Sequence, residues 1–206
     1  MDDDFYNNPD NWSGAFYELS IEYHPSGNDK RVNEALKALG ESRYFKGMWK
    51  ERKDYQKPPI SLPIAIEKGS VKSFYGTLAV SHSSEDHLPC MISVIRANGE
   101  SDWVDIAIPE AAFERAFPYE YHLTGELNPW LKKINEVYAQ LAETIYSNSP
   151  FDLAMIGEEI SGYTNQEEIT KEAMQNITCI LPGPLQGKLG LEGKGTALSS
   201  QLRIFG

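Results

Sequence analysis

The sequence predicts an α+β fold: a single domain over residues 1–206, with a mostly antiparallel sheet and about three main helices packed on it. Three observations carry that prediction. Asn98-Gly99 is the strongest hairpin signal in the chain and stands between two runs of alternating apolar residues. Other stretches repeat their apolar residues at helical spacing. The chain has 206 residues, 41% of them hydrophobic, with four Trp, eleven Tyr and eight Phe, so it can bury a core without disulfide staples and is not a disordered polymer.

The elements follow in order. Residues 1–14 are polar and read as an arm. Residues 16–23 alternate as a first strand, with Tyr17, Leu19, Ile21 and Tyr23 on one face. Gly27-Asn28-Asp29 opens a helix whose stripe is Val32, Leu36 and Leu39, and Gly40 suits its end. Ser61 to Glu67 reads as an edge or irregular strand, because Pro63 cannot donate to a ladder. Ser73–His82, Leu88–Ala97 and residues 101–108 form a three-stranded meander. In the last of these Val104, Ile106 and Ile108 point one way, and Trp103 and Asp105 the other.

A short helix, Glu110–Phe117, follows Pro109. The best helix starts at Asn128-Pro129 and carries the stripe Trp130, Ile134, Val137, Tyr138, Leu141 and Ile145, with polar residues opposite. Phe151–Ile156 is apolar enough for a sheet centre. Thr164-x-x-Glu167 has the form of a capping box and predicts a helix to Asn176. A strand over Ile177–Leu181 would complete a strand–helix–strand crossover. The tail from Pro182 holds six glycines and ends in a strand within Leu198–Phe205. A division into two subdomains near residue 120 is the alternative to one domain.

The formal net charge is -11, from 30 acidic and 19 basic residues. Such a balance repels phosphate backbones and anionic membranes, and long-range attraction favours a basic protein as partner. No apolar run reaches the roughly 18 residues that span a bilayer, and the start Met1-Asp2-Asp3-Asp4 has no leader pattern. The expected location is therefore the cytoplasm. Cys90 and Cys179 sit in strand-like apolar stretches and read as free thiols of a reducing compartment, although a disulfide stays open.

Four features stand out as candidate sites. Residues 43–57 carry Arg43, Lys46, Lys50, Arg52, Lys53 and Lys57 against Glu51 and Asp54, a net of +4 that leaves -15 on the rest. Tyr44, Phe45, Trp49 and Tyr55 interleave with these cations. Trp49, Arg52 and Tyr55 are the types that anchor interfaces, and rings between cations also suit a nucleotide. The plainer reading is a helix end and loop whose rings cap the core. Gly157-Glu158-Glu159 follows a central strand, where polar groups often line a crevice, and the two carboxylates diverge unless the backbone bends. Asp102, Trp103 and Asp105 form a second acidic group, or else simply the wet side of an amphipathic strand. His82, His87 and Asp86 flank one turn without matching any metal pattern. Gly187-Lys188 and Gly193-Lys194 do not complete a phosphate loop.

No catalytic or metal-ligating spacing appears, so no catalytic residue, metal or cofactor is assigned. In type the chain resembles the immunity proteins that bacteria keep beside polymorphic or contact-dependent toxins. The resemblance lies in its acidity, its lack of reactive motifs, and the acidic stretches Asp102-Trp103-Val104-Asp105 and Gly157-Glu158-Glu159. It implies neutralisation of a basic toxin by binding, through Asp102, Trp103, Asp105, Glu158, Glu159, Trp49, Arg52 and Tyr55. Two alternatives stand beside it. One is a hydrolase-like enzyme whose dispersed site gathers several of Glu158, Glu159, Asp105, His82 and Arg96. The other is a small-ligand or nucleotide-binding module built on residues 43–57.

Overall fold

The Asn98-Gly99 turn closes the hairpin the sequence predicts. It joins β4 (His87–Arg96) to β5 (Asp102–Pro109), with Arg96 opposite Asp102 and Gly99 at φ +81°. The computed structural model describes residues 3–80, 87–175, 177–199 and 201–206. The remaining strands are β1 (Phe16–Tyr23), β2 (Phe45–Trp49), β3 (Ser70–Ala79), β6 (Leu153–Glu158), β7 (Thr178–Pro182), β8 (Thr196–Ala197) and β9 (Leu202–Phe205). Among the described residues these nine form one antiparallel sheet in the order β2-β3-β4-β5-β1-β6-β7-β9-β8. The sheet runs unbroken across residue 120, because the first strand pairs on one side with β5 and on the other with β6.

After a short first helix, α1 (Asp3–Asn7), three helices among the described residues cover one face: α2 (Asp29–Glu41), α3 (Glu110–Ala116) and α4 (Leu131–Asn148). Their stripes meet Tyr17, Leu19, Ile21 and Tyr23 of β1 and Val104, Ile106 and Ile108 of β5 in the larger core. The Tyr138 hydroxyl on α4 donates to the Tyr17 carbonyl at 2.8 Å, and the Tyr17 hydroxyl donates to Asn135 Oδ1 at 2.7 Å. Asn28 caps α2 as its position requires, its side chain accepting from the Arg31 amide at 3.2 Å. Asn28→Ala should lower stability by about 1 kcal/mol in urea denaturation, the usual cost of a lost N-cap. No helix among the described residues is long and apolar enough to cross a membrane.

The opposite face carries a smaller core. Trp103, Leu153, Met155, Cys179 and Leu181 of the sheet meet Ile160, Ile169 and Met174 from the connection after β6, and Leu185 from α5 (Gly183–Lys188). Both cysteines are free and buried, and burial pushes the Cys179 thiol up to about 12.

Four expectations are corrected. Residues 61–67 form no strand; Asn33 on α2 holds them instead, taking the Ile64 amide at 2.7 Å and giving to the Ile64 carbonyl at 3.0 Å. Residues 164–175 form turns and a single 3-10 turn at Ala173–Gln175 rather than a helix. Asn165, not Thr164, caps there by accepting from the Glu167 and Glu168 amides, and the Gln166 amide is drawn off to a sheet carboxylate. The expected crossover is therefore absent, and β6 and β7 are antiparallel neighbours. Residues 43–57 are not a helix end but an edge strand, β2, followed by a 3-10 turn at Arg52–Asp54. A bulge at Gly47-Met48 breaks the ladder there, and a β-carbon on Gly47 (φ +114°) would collide with the Trp49 ring.

Candidate functional site

The alternation that sends Tyr17, Leu19 and Ile21 to the helices sends Glu18, Ser20 and Glu22 to the other face of β1, beside Asp105 on β5. Both flanks of that strand are paired and both faces are covered, so these polar side chains are buried: Glu22 is 0% and Asp105 3% exposed. Their partners are hydroxyls and amides. Ser20 donates to Asp105 at 2.6 Å and the Ser161 hydroxyl to Asp105 at 2.8 Å. The Ser161 amide donates to Glu18 at 3.0 Å, and Glu22 accepts from Ser101 at 2.6 Å and from the Gln166 amide at 2.7 Å. Burial raises the proton affinity of all three carboxyls. For Glu18 it outweighs the Ser161 amide and, with the nearby Asp105 charge, pushes the value up to about 7.

Where this row meets solvent, Glu22, His24, Ser101, Trp103, Glu100, Glu167 and Glu168 line a cleft of about 610 Å³ that no Lys or Arg lines. Within it Ser101 links Glu22 at 2.6 Å to His24 Nδ1 at 3.2 Å, and His24 Nε2 lies 3.9 Å from Glu167. With Glu22 charged, Ser101 donates to it and receives from the His24 Nδ1–H. In that polarity the imidazole cannot take the serine proton, as nucleophilic catalysis requires.

A second acidic group lies open at the far end of β6. Glu158 is exposed, and Glu159 adopts φ +48°, which turns its carboxylate back to accept from the Phe16 amide at 2.8 Å. The backbone does bend, but it directs Glu159 to the β1 end and not into a chelate with Glu158. Glu110, the first residue of α3, accepts from the Tyr119 hydroxyl, and its other oxygen takes the Ala15 amide at 3.4 Å. Burial, the hydrogen bond to Glu110 and then the Glu110, Glu114 and Glu158 charges push the Tyr119 hydroxyl far up, and Glu159 adds its charge beside Glu158. Among the described residues none of Glu110, Glu114, Glu158 and Glu159 has a cation within 4.0 Å. Beside them Tyr121 stands 72% exposed, its ring 4.1 Å from that of His122.

The structure distributes the sequence-predicted residues over four places. Glu158 and Glu159 belong to this open group. Asp102 and Arg96 face the helices and are bound to each other, with Asp102 0% exposed. Asp105 and Trp103 share a face as expected, but the connection after β6 covers it, so it is not a wet side. Trp49, Arg52 and Tyr55 lie at the β2 edge, five strand spacings from β6, about 24 Å. There Trp49 is buried and donates to the Lys57 carbonyl, Tyr55 stacks on Tyr6 at 4.2 Å, and the Arg52 guanidinium lies 5.6 Å over Trp12. His82 and Asp86 lie outside the described residues, and no three metal-ligating side chains converge among the described ones.

Sequence reasoning missed Glu18, Glu22, Ser101 and the Tyr119–Tyr121–His122 stretch. The first two were signalled by the alternation of β1, which puts them opposite Leu19 and Ile21. The others depend on loops brought together from distant segments. Compared with protein-family models, with curated proteins and with solved structures, the chain matches none of them.

Proposed function

We propose that this chain is a protein-interaction module that holds one basic protein, in the manner of the toxin-immunity proteins it resembles in type. The observation that carries the reading is the group of Glu110, Glu114 and Glu158 near Tyr119, with Glu159 beside Glu158, none of which has a Lys or Arg within 4.0 Å among the described residues, next to the exposed Tyr121 ring. Like charges gathered in one group raise each other's energy, and a partner's Lys or Arg side chains would relieve that. The open Tyr121, two positions from Tyr119, supplies rigid apolar area of the kind that anchors interfaces. The same field disfavours nucleic acid. Two free buried thiols support a reducing, cytoplasmic setting.

The experiment uses the protein encoded beside this chain as the probe. Glu158→Lys with Glu159→Lys should slow association by about tenfold or more at low salt, with the gap closing as salt rises. Tyr121→Ala should speed dissociation. An unchanged association rate in the double variant would remove the reading.

A second reading, a hydrolase-like enzyme, draws on the Glu22–Ser101–His24 chain in the cleft in its reversed polarity, with Glu22 protonated and giving to Ser101, so that the serine gives to His24. If Ser101→Ala abolishes a turnover that the charge reversals leave intact, that reading replaces the first.

A further inference from the structure

The segment after β6, residues 159–169, carries Glu159, Glu167 and Glu168; Phe16 holds its start and Lys188 gives to the Gln166 carbonyl at 2.8 Å, and between these points carboxylates beneath it fasten it to the sheet. The Ser161 amide is 3.0 Å from Glu18, the Ser161 hydroxyl 2.8 Å from Asp105, and the Gln166 amide 2.7 Å from Glu22. Ile160 and Ile169 press into the smaller core on either side of these contacts. The groups that act on Glu18 are Asp105 from β5, Glu159 and the Ile160 and Ser161 amides from the segment, and the Tyr138 phenol of α4. Those on Asp105 are the Ser20 and Ser161 hydroxyls, and those on Glu22 are Ser101, the Gln166 amide, Asp152 and His24. None of the groups on Glu18 or Asp105 is a cation. One serine thus bridges two buried acids of the same sign, a pair that cannot both ionise at low cost while covered.

We infer that residues 159–169 form a proton-gated strap, which lies against the sheet while Glu18 holds a proton and lifts when Glu18 and Asp105 are both charged. The strap begins at Glu159 of the surface proposed above. Its bearing on partner binding therefore rests on that reading, whereas its opening does not.

The sign follows from the shift. Glu18 takes up its proton more readily under the strap, at about 7, than with the strap lifted, where water reaches it and the ordinary 4.5 is the lower limit. Closure is therefore strongest below 4.5, weakens as pH rises, and levels off above 7. From pH 5.5 to 8.0 this one group predicts a fall in the closed-to-open ratio of up to about thirtyfold.

Amide hydrogen exchange on the free protein tests this. After correction for the intrinsic rate, protection at Ser161 and Gln166 should fall severalfold and by up to about thirtyfold between those pH values, while Ile92 in β4 keeps its protection. Glu18→Gln, a neutral isostere that still accepts from the Ser161 amide, should remove most of that fall, and Asp105→Asn a smaller part. Equal protection at both pH values, or the wild-type loss persisting in Glu18→Gln, overturns the strap. If protection responds and affinity for the basic partner does not, the strap stands and its link to the partner surface falls.

Discussion

Arg96→Met is expected to destabilise the protein by about 3–5 kcal/mol, measured by urea denaturation at pH 7. Arg96 closes the β4–β5 hairpin on the helix side. Its guanidinium forks onto Asp102 at 2.8 and 2.7 Å, gives to Asp29 at 2.6 Å and to the Ile66 carbonyl at 2.7 Å. Asp102 also accepts from the Gly27 amide at 2.9 Å, so one ion pair ties the hairpin, the entry to α2 and residue 66 together. Removing the cation leaves a carboxylate with a side chain 1% exposed and no charge to meet it. The half-exposed Asp29 contributes much less, since water screens that bond. Arg96→Met with Asp102→Asn should recover part of the loss, because the stranded charge is gone, and the deviation from additivity should be about 1–3 kcal/mol. A single-variant loss below about 1 kcal/mol would show that the pair does not hold these segments.

Glu18→Gln is expected to stabilise the protein at pH 8 by about 2–3 kcal/mol and to leave it nearly unchanged at pH 4.5. Burial first, and then the Asp105 and Glu159 charges, lift the Glu18 carboxyl to about 7 in the fold, against 4.5 in the open chain. A raised carboxyl binds its proton better folded than unfolded. Its contribution to stability is complete below 4.5 and is lost as pH rises towards 7. Glu22 and Asp105 shift in the same direction for the same leading reason, so the wild-type protein should lose stability between pH 5 and 8 more steeply than Glu18 alone dictates. Denaturation midpoints of wild type and variant across that range would diverge if this is correct, and parallel curves would refute it.

Much of this architecture is legible in the residues themselves. Asn98-Gly99 sets the hairpin register, and the stripe from Trp130 to Ile145 dictates α4. The alternation at 16–23 yields β1 to the residue. Legibility ends where tertiary contacts outbid local preference. Thr164-x-x-Glu167 has the letters of a capping box, but Glu22 takes the Gln166 amide and Ile169 and Met174 are drawn into the smaller core. Asp105 reads as a wet-side residue because nothing local announces that Ser161, 56 positions on, will cover it. Glu158 and Glu159 were visible as a pair. That Glu110, Glu114 and Tyr119 join them follows from the α3 entry beside β1, which only the folded chain displays.

The two outermost strands of the sheet have a consequence for how copies of this molecule meet. The β2 border is five residues long, interrupted by its bulge, and Lys46 projects from it; the β8 border is two residues long. A neighbouring chain seeking to continue the ladder would find too few free amides at one end and a kinked, cationic rim at the other. Growth of the sheet into fibrils is discouraged at both borders, so the molecule can be crowded at high concentration without its strands recruiting one another.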